Sequence, residues 1–297
     1  MQYSISDLEQ LSGIQSHTIR MWEQRYHALV PHRSAGNTRY YDDKQLLRLL
    51  NIVSISQQGL KISKICALTD DAIHQLIEQD IQATVSKNQQ YEFYISKLLK
   101  HGIAFNEAVF SQLLNQCFVK YDVANSYQFI IYPLLVRLGL MWRKDSICAA
   151  QEHFLTHIIR QKLYVAIENL PITESNKTWL LFLPQEEDHE MGLLYANYAL
   201  RKHLQKVIYL GPRVPLESVD QVFEVNKIDH ILIFMTQTNS VANAQNYIDL
   251  LSNKYPKTLI HLAGNEKLII NLKLPFNISW FKSIEQFEIQ IQSTNLC

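Results

Sequence analysis

The spacing of hydrophobic positions changes twice along this chain of 297 residues. In residues 1 to about 75, apolar side chains recur at helical spacing in short stretches, which predicts short helices. The stretch "SISDLEQLSGI" has Ser4 or Ser6 as a candidate N-cap and breaks at Gly13, and "QSHTIRMWEQRY" restarts with Ser16 as its cap. Two helices around a glycine-containing turn form the helix-turn-helix pattern. The turn-rich stretch "HRSAGNTRYYDD" around Gly36 predicts a small β-hairpin, the wing.

The rest of the chain divides into a helical and an alternating part. From about 76 to 168, apolar positions recur every three and four residues, which predicts about four helices packed as a bundle. From about 177 onward, short apolar runs alternate with amphipathic stretches, which predicts a doubly wound parallel sheet. We therefore expect a multidomain α and α/β protein: a winged helix-turn-helix at 1–75, a four-helix bundle at 76–172 and a flavodoxin-like domain at 177–297.

Composition narrows the possible partners and the compartment. Lysine and arginine number 28 together, as do aspartate and glutamate, so attraction for nucleic acid must come from a local patch. The 8 glycines include no G-x-G-x-x-G or P-loop pattern, and the 4 cysteines lie far apart. The longest apolar stretch contains Arg137 and is too short to span a membrane. Because the amino end lacks a basic leader, we expect a cytoplasmic protein without membrane contact.

The amino-terminal region carries polar and basic side chains where DNA contacts belong. Its first 69 residues hold eight basic and five acidic side chains, so the region is mildly basic. Arg33 and Arg39 flank the wing, where arginines can bind phosphates. The first turns of the second helix, which reach base edges in a major groove, contain Ser16, His17, Thr18 and Arg20.

About 70 residues of this region resemble the winged-helix domain of the MerR family of transcription regulators. The resemblance rests on the helix pair "ISDLEQLSGIQSHTIRMWEQRY" and on the wing "RSAGNTRYY", with its glycine, its arginine and Tyr40. It implies that the second helix and the wing bind double-stranded DNA. It also implies that the protein works as a homo-oligomer, a dimer or a tetramer, on a two-fold operator.

A second motif follows the first predicted strand of the α/β region. Glu187, His189 and Gly192 stand as E-x-H-x-x-G, which resembles the motif of cobalamin-binding domains. The resemblance implies that His189 ligates cobalt from below. Neutral imidazole is a good ligand for a borderline transition metal, and the Glu187 carboxylate can hold its other nitrogen. Gly192 at the start of the helix would let a bulky group approach the backbone.

A third motif lies in the bundle, where "WRKDSICAAQEH" separates Trp142 from Glu152 and His153 by nine residues. It resembles the helical cap domain of light-responsive cobalamin regulators of the MerR family. The resemblance implies that Trp142 packs on the upper face of adenosylcobalamin and that Glu152 and His153 line the adenosyl pocket. Trp142 offers a large flat apolar surface, and Glu152 can accept hydrogen bonds from ribose hydroxyls.

The chain departs from these patterns at two places. The light-responsive members carry a histidine directly after the tryptophan, which takes the upper cobalt position after light has removed the adenosyl group, and here that residue is Arg143. The loops that usually contact the nucleotide tail carry Ser-x-Leu and a Gly-Gly pair. Here they are "MTQTNS" and "HLAGNE", which leaves Thr236, Thr238 and Gly264 as candidates.

Together the motifs predict a DNA-binding transcription regulator, a repressor, with a cobalamin-type sensor. Adenosylcobalamin, and light through it, would control oligomeric state and thereby operator binding. One alternative is a regulator of the same fold that has lost the cofactor and responds to a protein partner, such as an antirepressor. An alternative of another class is a cobalamin-carrying enzyme module, which the helix-turn-helix makes less suitable. We therefore expect no enzymatic activity and no catalytic residues.

Overall fold

The structure is a computed structural model that describes residues 3–12, 14–34, 37–56, 60–83, 88–143, 147–173, 177–236 and 240–294. Two compact units divide the chain. The first comprises Met1–Lys120 and Phe129–Thr156, and the second comprises Tyr121–Gln128 and His157–Cys297. The predicted turn glycines Gly13 and Gly36 and the candidate Thr238 lie outside the described residues.

Helices dominate the described residues, and they are α1 (Ile5–Ser12), α2 (Ser16–Tyr26), α3 (Asp43–Ser56), α4 (Ile62–Cys66), α5 (Asp70–Ala83), α6 (Gln89–Ile103), α7 (Glu107–Ser126), α8 (Tyr132–Arg143), α9 (Ala149–Glu168), α10 (Met191–Lys202), α11 (Leu216–Val225), α12 (Val241–Lys254), α13 (Glu266–Ile269) and α14 (Ile284–Thr294). A π-helix, Tyr127–Ile131, joins α7 to α8. The strands are β1 (His32–Arg33), β2 (Arg39–Tyr40), β3 (Thr178–Pro184), β4 (Lys206–Val214), β5 (His230–Met235), β6 (Leu259–Gly264) and β7 (Ile278–Trp280). Among the helices described, none has the length and apolar character to cross a membrane.

The amino-terminal elements confirm the predicted winged helix-turn-helix. The Asp7 carboxylate accepts from the Ser4 N–H (2.7 Å), and Ser4 Oγ accepts from the Asp7 N–H (3.2 Å), so Ser4 caps α1. Ile19 and Trp22 of α2 are buried in one core with Tyr41. Strands β1 and β2 pair antiparallel, as expected for the wing.

The predicted cap of the second helix is wrong by one residue. Gln15 is the N-cap of α2, without a side-chain bond, and Ser16 is the first helical residue. The Ser16 hydroxyl donates instead to Glu9 Oε2 at 2.5 Å. A charged acceptor on the neighbouring helix gives a stronger bond than a backbone N–H cap. Ser16 therefore ties α2 to α1.

Four helices, α6 to α9, confirm the predicted bundle. Gly102 of α6 lies directly against Leu155 of α9, where a Cβ would come within 2.0 Å of the leucine side chain. Arg137 of α8 is 5% exposed and forms a two-pronged ion pair with Glu92 of α6, at 2.7 and 2.9 Å. The arginine inside the longest apolar stretch is thus buried because it is paired with a glutamate of a neighbouring helix.

Five strands of the second unit form a sheet in the order β4–β3–β5–β6–β7, and all neighbouring strands are parallel. This confirms the doubly wound sheet. Strand β3 is buried from Thr178 to Leu183, which explains its continuous apolar run. Helix α10 is buried from Leu193 to Leu200. Ligands of such sheets bind beyond the carboxyl ends of the strands, where the loop after β3 lies.

Two histidines are buried near the amino-terminal ends of the strands. Nδ1 of His230 on β5 lies 3.1 Å from Nε2 of His261 on β6. The Trp179 ring stacks on both, with centroid distances of 4.2 and 5.0 Å. Desolvation by burial lowers the pKa of His230 to about 4 and that of His261 to about 3. Both rings are therefore neutral at pH 7.

Candidate DNA-binding face and cofactor site

The first turns of α2 present three of the four predicted DNA contacts. His17 and Arg20 are exposed, and Thr18 is half-buried with its Oγ1 3.3 Å from His17 Nε2. The hydroxyl of Ser16 is committed to Glu9 instead. His17, Thr18 and Arg20 are thus available to meet base edges, and contact of all four residues with DNA stays a prediction.

The wing places its two arginines differently. Arg33 Nη1 donates to Asn37 Oδ1 at 2.6 Å, an exposed contact across the wing. Arg39 is half-buried, and its Nε makes no hydrogen bond to any residue that the structure describes. Tyr40 stacks on His32 at 5.2 Å between ring centroids. Because that Nε is buried, its missing bond does not point to DNA, and the phosphate contact of Arg39 stays a prediction.

The predicted upper-face residues lie on α8 and α9. Trp142 is half-buried in the last turn of α8. Glu152 and His153 lie in the first turns of α9, with side chains 33% and 69% exposed and His153 Nδ1 3.3 Å from Glu152 Oε2. A half-buried carboxylate and an exposed imidazole at this separation can hold polar groups of a ligand. Their action together with Trp142 stays a prediction.

The loop between β3 and α10 is organised around the carboxylate of Glu187, a residue that is 3% exposed. Its Oε1 accepts from the backbone N–H groups of Asp188 (3.1 Å) and His189 (3.0 Å) and lies 2.7 Å from His189 Nδ1. Its Oε2 accepts from the N–H of Thr236, after the end of β5, at 2.7 Å. Donors thus surround this buried carboxylate, as its low exposure requires.

This arrangement prepares His189 as a metal ligand. A carboxylate accepts only from a ring nitrogen that carries hydrogen, so in the neutral ring the lone pair is on Nε2. The imidazole is 61% exposed. The ligand atoms of Glu187, Asp188 and His189 lie within 4.8 Å of one another, but the Glu187 oxygens already accept from four donors. His189 therefore suits a borderline metal such as cobalt, and Glu187 holds its tautomer.

Arg213 belongs to this loop region and was missed by sequence reasoning. Its Nη2 lies 2.6 Å from Asp188 Oδ2, and its N–H donates to the Glu187 carbonyl at 3.2 Å. Two irregularities in the pairing of β3 with β4 precede this contact, after Leu181 and after Phe182. Such bulges redirect side chains beside binding sites. Gly211 and Pro212 inside the stretch KVIYLGPRV are the sequence signal for this irregularity, because glycine and proline are rare within regular strands.

Two predicted glycines serve the packing of the sheet. A Cβ on Gly192 would lie 2.5 Å from the Phe234 ring, so this glycine lets α10 approach β5. Gly264 has φ +123°, and a Cβ there would lie 2.3 Å from the Met235 carbonyl oxygen. The packing of the protein alone therefore explains a glycine at both positions, whether or not a ligand binds. The expected role of Gly192 in cofactor access thus stays a prediction beside this structural one.

The end of β5 offers one polar group that the chain leaves unsatisfied. Thr236 Oγ1 is buried and has no hydrogen-bond partner among the described residues. Its own N–H is the donor to Glu187, which places the hydroxyl beside the His189 loop. Native proteins satisfy nearly all buried polar groups, so this hydroxyl is suited to meet a polar atom of a bound molecule. The residues present therefore fit a cobalt cofactor with a polar tail.

A winged helix-turn-helix, a helical bundle and a parallel sheet with a metal-ready histidine define a class: DNA-binding regulators with a cofactor-type sensor. Comparison with known proteins gives the families of the parts. Residues 3–71 match the MerR HTH family regulatory protein, and residues 94–167 match the B12 binding domain. The chain therefore joins a MerR-type DNA-binding domain to a B12-binding region, and that second match lies in helices α6 to α9.

Relatives with the same order of parts are transcriptional repressors. The chain is 25% identical over 260 residues to the HTH-type transcriptional repressor CarH of Myxococcus xanthus, covering 86% of each chain. It is 27% identical over 221 residues to the repressor CarA of the same organism, covering 74% of this chain and 71% of CarA. The fold also resembles the Methanosarcina barkeri monomethylamine corrinoid protein, with a TM-score of 0.52, 15% identity, and coverage of 66% of this chain and 96% of that one.

Proposed function

We propose that this protein is a transcriptional repressor whose oligomeric state and operator binding are controlled by adenosylcobalamin and, through it, by light. The observation that carries the proposal is the His189 imidazole, held through Nδ1 by a buried carboxylate. The MerR-type segment and the similarity to two repressors support the DNA-binding part. A homo-oligomer on a two-fold operator and a cytoplasmic location belong to the same proposal.

In this proposal each region has a distinct task. Domain 1–75 binds the DNA duplex, the bundle 76–172 contributes Trp142, Glu152 and His153, and domain 177–297 contributes His189. When bound, adenosylcobalamin supplies a cobalt–carbon bond that light cleaves. Trp142 provides an apolar surface, Glu152 accepts hydrogen bonds from ribose hydroxyls, and His189 donates its Nε2 lone pair to the metal.

Titration of the purified full chain with adenosylcobalamin in the dark tests the proposal. We expect His189→Ala to lower the affinity by more than about tenfold and to remove the absorbance features of nitrogen coordination, because a metal ligand is lost. His203→Ala is the matched control, since His203 lies at the opposite end of α10. Equal affinity and spectra for wild type and His189→Ala would contradict cobalt ligation by His189.

Two alternatives predict other outcomes of the same titration. A regulator that has lost the cofactor and responds to an antirepressor binds operator DNA equally with and without adenosylcobalamin. A cobalamin-carrying enzyme module binds the cofactor, and operator binding then does not respond to it. Mobility shift of operator DNA with and without adenosylcobalamin, in the dark and after illumination, separates the proposal from both alternatives, and the adenosylcobalamin titration separates the alternatives from each other.

A further inference from the structure

The residue next to His189 uses its side chain in an unexpected way. Glu190 is the N-cap of α10 and makes no side-chain cap bond, although such a bond would stabilise the helix. Its carboxylate is instead turned inside the second unit, with only 8% of the side chain exposed. A buried carboxylate that leaves its own helix uncapped must be held by other donors.

Three side chains from two other elements meet this carboxylate. The Tyr209 hydroxyl on β4 donates to Glu190 Oε1 at 2.8 Å, and the Tyr164 hydroxyl on α9 donates to the same oxygen at 3.1 Å. Arg160, one turn before Tyr164, has its Nε 3.3 Å from Glu190 Oε2. We call these four residues the Glu190 anchor. It joins the start of α10 to β4 and to the carboxyl-terminal half of α9.

Both tyrosines of the anchor stay protonated donors. Desolvation, with the Glu190 charge second, raises the pKa of Tyr209 and of Tyr164 above the ordinary value. Both hydroxyls therefore remain hydrogen-bond donors at physiological pH. Gly211, at φ +81°, lies beside the same oxygen, where a Cβ would be 3.7 Å away. Strand β4 thus passes the carboxylate at close range.

The Glu190 anchor is the second set of contacts that holds the loop around the exposed His189. His189 is 61% exposed, so burial does not position its imidazole. On one side, Glu187 ties the loop to the end of β5 through the Thr236 N–H. On the other side, Glu190 ties it to β4 and α9. Two buried carboxylates thus fix the backbone on both sides of the histidine.

We propose that Glu190 is a positioning residue for His189: through Arg160, Tyr164 and Tyr209 it holds the loop so that Nδ1 of the imidazole stays bonded to Glu187 and Nε2 keeps its metal-binding direction. For cobalt binding this rests on the proposed function. The orientation of the His189 ring does not rest on the proposed function, because the protein has this orientation without any ligand.

Nitrogen-15 spectra of the histidine side chains in the cofactor-free full chain test the geometry. In the wild type we expect the His189 signal, identified by its loss in His189→Ala, to show the Nδ1–H tautomer. The Tyr164→Phe/Tyr209→Phe double variant keeps both rings and removes two donors, so we expect a shift toward the Nε2–H tautomer. Tyr209→Phe alone should give a smaller shift in the same direction.

The chain offers a matched control for these variants. Tyr195 of α10 is buried, and its hydroxyl donates to Glu288 Oε1 at 2.5 Å, so Tyr195→Phe removes the same kind of bond away from the loop. We expect it to leave the His189 tautomer unchanged. Glu190→Gln, which keeps an acceptor for the tyrosines, should perturb the tautomer less than the double variant. An unshifted His189 signal in the double variant, or an equal shift in Tyr195→Phe, overturns the proposal.

Binding of adenosylcobalamin separates this proposal from the proposed function. We expect about tenfold weaker binding by the double variant than by wild type and Tyr195→Phe, the range found for residues that orient a metal ligand. If wild type binds no adenosylcobalamin and the double variant still shifts the tautomer, the proposed function fails and the positioning role holds. If wild type binds through His189 and the double variant binds equally with an unshifted tautomer, the positioning role fails alone.

Discussion

At the scale of single residues, tyrosine hydroxyls bonded to carboxylates recur in this molecule. Tyr41 donates to Glu23 in the amino-terminal core, at 2.5 Å. In the second unit, Tyr255 donates to Asp220 at 2.7 Å, and Tyr209 and Tyr195 donate to Glu190 and Glu288. Desolvation raises the pKa of each of these tyrosines, and the carboxylate raises it further. Each carboxylate thereby gains a partner that adds no second charge.

Arg39 gives a residue-scale prediction for DNA binding. Arg39→Ala should weaken binding to specific and non-specific DNA alike, because a phosphate contact carries no sequence information. The slope of log affinity against log salt should shrink by about one unit. Lys100→Ala, which removes one exposed charge of α6 outside the MerR-type segment, is the control. Unchanged affinity and slope in Arg39→Ala would rule out the phosphate contact.

Arg143 gives a second prediction at this scale, which rests on the proposed light response. Guanidinium has no lone pair for a metal, whereas a histidine at this position can supply one. We therefore expect illuminated wild type to release cobalamin faster than the Arg143→His variant. Cobalamin that passes a size-exclusion filter, measured over time after illumination, gives both release rates. Equal rates, or slower release from wild type, would contradict this account of Arg143.

At the scale of elements, backbone irregularities build the site. The irregular pairing of β4 after Tyr209 brings Arg213 to the His189 loop. Gly264 ends β6 with a positive φ against the Met235 carbonyl, next to the strand whose end holds Glu187. Regular strands would leave these groups apart. The carboxyl edge of the sheet is therefore specialised by its departures from ideal geometry.

Gly192 provides the element-scale prediction. Gly192→Ala should lower the unfolding temperature by several degrees, because its Cβ would press on the Phe234 ring. Phe234→Leu should be mildly destabilising alone and should offset much of the cost of Gly192→Ala in the double variant. Thermal unfolding of the four proteins without cofactor measures this coupling. Additive effects would show that Phe234 is not what requires a glycine at this position.

At the scale of the whole molecule, the two ends of the parallel sheet have different chemistry. The carboxyl ends carry the His189 loop, with an exposed imidazole. The amino ends enclose His230 and His261 between aromatic rings, with His261 Nδ1 2.8 Å from Ser279 Oγ. An exposed histidine can bind a metal, whereas a buried pair of neutral rings makes stability depend on pH.

The sign of this pH dependence follows from the lowered pKa values. Between about pH 4 and the ordinary histidine pKa of 6.5, the unfolded chain binds protons that the folded His230 and His261 exclude. Stability should therefore fall as pH falls through this window, by up to about 1.4 kcal/mol per pH unit for each histidine. Urea unfolding of the full chain at pH 7.5, 6 and 5 measures the fall.

A matched pair of variants isolates the buried histidines. His261→Gln should have a shallower loss of stability between pH 7.5 and 5 than wild type, because one titrating group is removed. His203→Gln removes a histidine that lies outside the buried cluster and should keep the wild-type slope. If His261→Gln loses stability with pH as steeply as wild type, the buried pair does not cause the dependence.

The sequence by itself determined the kind and order of the elements. Continuous apolar runs and three-and-four spacing distinguished strands such as Thr178–Pro184 from helices such as Gln89–Ile103, because the strand is buried on both faces and the helix on one. The motif around Glu187 and His189 is equally local. The two residues are two positions apart in the sequence, and His189 Nδ1 lies 2.7 Å from Glu187 Oε1. Local patterns suffice wherever the interacting groups are close along the chain.

Only the tertiary structure decided how distant groups meet. Arg213 reaches Asp188 across 25 residues, where the pairing of β4 is irregular, and Tyr209 reaches Glu190 across 19 from the regular part of the same strand. Ser16 was expected to cap a helix, yet it bonds to Glu9 because a charged acceptor on another helix lies nearby. Such contacts depend on how elements pack and on where a strand departs from regular register. Neither is encoded in the local alternation of apolar and polar residues.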